Sequence, residues 1–61
     1  MTASDVVLRQ IVSDFEALAK LAERAINSET GDQTKTEALR GLRETALRGA
    51  ALARNALASK E

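Results

Sequence analysis

The 61-residue chain carries nine Lys+Arg against nine Asp+Glu, a formal net charge of zero, and is 44% hydrophobic and 30% charged. With that balance no global field gathers nucleic acid or an acidic membrane. The absence of Cys and His removes thiol nucleophiles, disulfides, iron–sulfur centres and nearly every zinc or haem site, so no cofactor is expected.

Phe15 is the one aromatic residue, and Pro, Trp and Tyr are absent. The longest apolar run, Ala50 to Ala53, is four residues, far below the roughly 18 that span a bilayer. No basic stretch followed by an apolar one opens the chain, so no secretory signal is expected and the location read from the sequence is cytoplasmic. The balance of apolar and charged residues is that of a folded chain rather than a disordered one.

The sequence predicts a single helical-hairpin domain over residues 1–61, with a helix at about 4–27, a loop at about 28–33 and a helix at about 34–59. In the first segment Leu8, Ile11, Phe15, Leu18, Ala22 and Ala25 recur at alternating spacings of three and four, the pattern of a packed helix. Thr2 or Ser4 is placed to cap its start, and Asp5 sets negative charge at the positive end of the helix dipole. The break runs from Asn27 to Gln33 and is the one stretch dense in turn formers, with Asn27 or Gly31 suited to a left-handed conformation. Thr34-Lys35-Thr36-Glu37 then reads as a capping box, the Thr34 hydroxyl accepting from the Glu37 N–H and the Glu37 carboxylate reaching back.

The second segment repeats the spacing with Leu39, Leu42, Ala46, Gly49, Ala53 and Ala56, and only Gly41 and Gly49 weaken it. A short loop makes the helices antiparallel neighbours. Folding the chain about Gly31 and Asp32 then opposes Leu8 to Ala56, Ile11 to Ala53, Phe15 to Gly49, Leu18 to Ala46, Ala22 to Leu42 and Ala25 to Leu39. Each of these layers matches a large residue with a small one, which lets the backbones approach closely. The same smallness leaves little apolar area to bury, so a partner is expected.

Beside the seam, Val12, Ala19 and Ile26 of the first helix share a side with Arg43, Ala50 and Leu57 of the second, and Leu47 is adjacent. This stripe predicts a homodimeric four-helix bundle with Val12, Ala19, Ile26, Leu47, Ala50 and Leu57 at the dimer or partner interface. The opposite side mixes Val7, Asp14, Leu21, Ala38, Thr45 and Leu52 and reads as the poorer candidate.

No acid falls on a predicted core position, and solvated helix faces do not tune a carboxyl for catalysis. Glu16 with Lys20, and Glu44 with Arg48, are spaced for pairs along a helix. No strand precedes a Gly-rich loop, and Glu29 and Asp32 are too few to ligate calcium. The chain therefore reads as non-enzymatic.

Charge is unevenly placed, with a net −3 over residues 1–32 and +3 over residues 33–61. Complementary helices of this kind favour antiparallel pairing. Arg40, Arg43 and Arg54, within about 60° on the helical wheel, also form a candidate phosphate-facing stripe. No aromatic residue accompanies them for base stacking.

Leu39-Arg40-Gly41-Leu42-Arg43-Glu44-Thr45-Ala46-Leu47, with the Ala/Arg/Leu run to Leu57, resembles the middle of the ElaB/YqjD-like family of small helical bacterial proteins. Ile11-Val12-Ser13-Asp14-Phe15-Glu16-Ala17-Leu18, with a Gly-containing break after it, adds to the resemblance, which covers about residues 8–57. It implies a short helical protein, and in some members ribosome association and an inner-membrane anchor formed by a C-terminal hydrophobic helix. These 61 residues contain no such helix. The function expected is a small helical interaction module, structural or regulatory, acting through self-association or helix–helix binding. The alternative is weak nucleic-acid or ribosome association through the basic second helix.

Overall fold

The structure, a computed structural model, describes residues 2–59. The ends of the expected 1–61 domain, Met1, Lys60 and Glu61, lie outside the described residues. Two helices of 26 residues each, α1 (Ala3–Ser28) and α2 (Gln33–Ala58), pack along their lengths as an antiparallel hairpin. No strand occurs among the described residues.

Each helix begins where a side-chain oxygen can take an orphan backbone N–H. At α1 the Asp5 N–H donates to Thr2 Oγ1 over 3.2 Å, and the Thr2 N–H donates to Asp5 Oδ2 over 3.4 Å. This is a reciprocal capping box, and it selects Thr2 over Ser4 as the cap. α2 is capped differently from the expectation at Thr34 and Glu37. The Lys35 N–H donates to Asp32 Oδ1 over 3.1 Å, so Asp32 is the cap and Thr34 lies inside the first turn. An ionised carboxylate accepts more strongly than a hydroxyl, and Asp32 directly follows the residue that turns the chain.

That residue is Gly31, whose φ of 95° is the one positive value among the described residues, so Asn27 remains ordinary helix. A side chain is strained in this region, and glycine is not. The last turn of α1 closes with the Glu29 N–H donating to the carbonyls of Ala25 and Ile26.

The core is made of alanine. Among the described residues Ala19, Ala22, Ala46, Ala50 and Ala53 are the buried ones, and no large side chain is fully enclosed. Phe15 and Gly49 meet as expected: a Cβ built on Gly49 would stand 2.7 Å from two carbons of the Phe15 ring. Three other expected layers fail, because Leu18 and Leu42 remain 38% and 46% exposed and Ala56 is exposed as well.

The failure has one geometric cause. The residues withdrawn from solvent on α1 include Leu8, Val12, Phe15, Ala19, Ala22 and Ile26, and on α2 Leu39, Arg43, Ala46, Ala50, Ala53 and Leu57. Both rows run at spacings of four, three, four, three, four. Relative to the expected seam each helix is turned about its axis by roughly 50°, taking 100° per residue. The turn sets Ala19 and Ala50 between the backbones, where a leucine would hold the helices apart. Close approach then gains dispersion contacts along the whole length, and the displaced leucines move to the flank.

Candidate functional site

The rotation of the seam decides which side chains are left to meet anything else. Ala19 and Ala50, expected at a partner interface, retain 5% and 0% of their surface. Val12, Ile26 and Leu57 are half-buried in the same seam. Ala19 and Ala50 therefore serve the hairpin's own packing, and the other three are partly withdrawn into it. Leu47, the sixth, is exposed.

Because the helices are antiparallel, turning both the same way from the seam leads to the same side of the molecule. On one flank lie Glu16, Lys20 and Glu23 of α1 with Arg40, Arg43 and Arg54 of α2. Arg54 pairs with Glu16 across the helices, and Glu16 makes this bond rather than one with Lys20 a turn along α1. A shallow hollow beside the pair is lined by Glu16, Ala19, Lys20, Glu23, Arg43 and Leu47. Of the three arginines, Arg43 and Arg54 stand among acids of α1. Arg40 lines a second hollow nearer the loop, with Gly31, Asp32, Gln33 and Thr36.

The other flank has a different chemistry. α1 contributes the row Val7, Ile11, Asp14, Leu18, Leu21 and Ala25. α2 contributes Ala38, Leu42, Thr45, Gly49, Leu52 and Ala56. Asp14 is the only charged residue of the twelve, and the Gln10 Nε2 donates to its Oδ1 over 2.9 Å. Leu21 and Leu52 are 56% and 64% exposed, and Val7, Leu18 and Leu42 are exposed as well. Ile11, Asp14, Phe15 and Leu18 line an open concavity at the seam edge. This is the side that the sequence marked as the poorer candidate. Turning α1 and α2 brings Leu18, Leu42 and Ala56 out of the expected core to join Val7, Leu21 and Leu52, while Ile11 stays half-buried at the seam edge.

The arrangement is a two-faced hairpin, with a charged flank partly neutralised by an ion pair across the helices and a nearly uncharged flank rich in leucine. No family model, curated protein or solved structure matches the chain. No helix among the described residues is long and apolar enough to cross a membrane.

Proposed function

We propose that this chain is a non-enzymatic helical interaction module of the cytoplasm that acts by self-association. The flank carrying Leu18, Leu21, Leu42 and Leu52 would be covered by the same flank of a second copy, forming a four-helix bundle with a structural or regulatory role. The observation that carries this reading is the amount of surface the hairpin leaves open. Its accessible area is 4722 Å², whereas a compact monomer of 6.5 kDa exposes roughly 3,800 Å². The excess, roughly 900 Å², is close to the ~800 Å² that each partner buries in a standard interface. An exposed apolar stripe of this kind, on a molecule whose own core is alanine, is the part most in need of cover.

Sedimentation equilibrium tests the reading. The expected result is a dimer at micromolar concentration. Leu21→Lys combined with Leu52→Lys should shift it to monomer with reduced helicity, and Leu47→Lys on the charged flank should leave it dimeric. A wild-type monomer, or a dimer that ignores the Leu21 and Leu52 changes, would overturn the proposal.

Nucleic-acid or ribosome contact through Arg40, Arg43 and Arg54 is the weaker reading. Glu16 and Glu23 lie beside two of the three arginines, so few phosphates would be neutralised and the salt dependence of binding would be shallow. RNA binding at low salt that disappears when all three become Gln would instead favour it.

A further inference from the structure

We infer that the second copy docks with its two-fold axis parallel to the helices, so that both loops lie at the same end and α1 rests on α2 of the other copy. This inference rests on the self-association proposed above and adds its geometry. Two hairpins stacked by the same flank have two symmetric choices. With the axis along the helices, α1 covers α2 of the second copy, and the four helices alternate in direction around the bundle. With the axis across the helices, α1 covers α1, α2 covers α2, and the loops point to opposite ends.

Charge separates the two choices. The half of the chain containing α1 carries a net −3 and the half containing α2 a net +3. The crossed stack sets each half against its like, whereas the axial stack sets it against its opposite. The isologous contact repeats whichever choice is made, so the preference counts twice per dimer.

Asp14 makes the distinction local. It sits near the midpoint of α1 (Ala3–Ser28), where a crossed two-fold would pass. The crossed stack therefore brings two Asp14 carboxylates to the same stretch of the contact, as like charges leaving water together. The axial stack has a different consequence, because rotation about an axis along the helices leaves every residue at its own level. The level is set by the Phe15–Gly49 contact, so Asp14 comes level with the neighbourhood of Gly49 in the second copy. At 100° per residue, Asp14 lies next to Leu21 on the outer side of its row, and Arg48 lies about 40° beyond Leu52, the outermost residue of the α2 row. Both are exposed in the single hairpin. In the axial stack these two edges adjoin, and the Arg48 guanidinium of the second copy is within reach of the Asp14 carboxylate. In the crossed stack they are on opposite edges of the bundle.

Single cysteines give a direct readout, because the chain has none of its own. Thr30→Cys places one label in each loop, at an exposed position. The axial stack predicts a short spin-label distance and efficient coupling by a short bis-maleimide. The crossed stack puts the labels at opposite ends of a molecule 48 Å long, with no coupling. Charge exchange gives a second readout: Asp14→Arg or Arg48→Asp alone should weaken dimerisation by about fivefold, and the two together should restore it. A dimer with distant labels, or one in which the combined change fails to restore affinity, overturns the axial stack and leaves self-association standing. A wild-type chain that stays monomeric overturns both, and assigns the apolar flank to a different protein.

Discussion

Adding one methyl group at Gly49 sets two known effects against each other, and the structure decides which wins. Alanine is a better helix former than glycine by about 0.8–1.0 kcal/mol at an interior position. Gly41 shows this gain undisturbed, since a Cβ there would meet nothing within 4 Å, and Gly41→Ala should stabilise by nearly that amount. At Gly49 the same Cβ would lie 2.7 Å from the Cε2 and Cζ of Phe15 and 3.0 Å from its Cδ2. Carbon atoms rest about 3.5–4.0 Å apart, so the ring must retreat by roughly 1 Å or the helices must part. Overpacking of this kind costs about 1–3 kcal/mol, which cancels or exceeds the propensity gain. The two glycine variants should therefore differ by about 1–3 kcal/mol, a gap of at least about 4 °C in Tm for a chain of this size. Urea and thermal melts followed by far-UV circular dichroism, at one protein concentration, measure it. Repeating Gly49→Ala in a Phe15→Leu background should recover the gain, a coupling of about 1 kcal/mol or more. If Gly49→Ala stabilises the wild-type chain as much as Gly41→Ala does, the Phe15–Gly49 contact does not set the approach of the helices.

Asp32→Ala should cost about 0.5–2 kcal/mol by removing the α2 cap, whereas Thr34→Ala should be neutral or slightly stabilising; equal losses in urea melts would return the cap to Thr34. Gly31→Ala forces a side chain into a left-handed turn and should destabilise by about 1–3 kcal/mol in the same assay. Arg54→Gln should cost less than about 1 kcal/mol, because both partners are partly exposed, and the loss should shrink as salt is raised.

The two helices, their antiparallel pairing and the close approach at Gly49 are all legible in the sequence. Each follows from a local cause: a spacing of three and four, a dense run of turn formers, and a glycine opposite a phenylalanine. The α2 cap was less legible, since Asp32 and Thr34 both suit the role and only the path through Gly31 separates them. Which apolar row stays exposed was not legible at all. Spacing picks out the row Leu8, Phe15 and Ala22 on α1 but leaves its companion open, because Ile11, Leu18 and Ala25 on one side are as apolar as Val12, Ala19 and Ile26 on the other. The same ambiguity holds on α2 between the Leu42 and Ala50 rows. Which companion faces inward depends on how near the two backbones can come, a property of both helices together. Ala19 and Ala50 permit the closer approach, so they fill the seam, and Leu18 and Leu42 are turned outward beside Leu21 and Leu52.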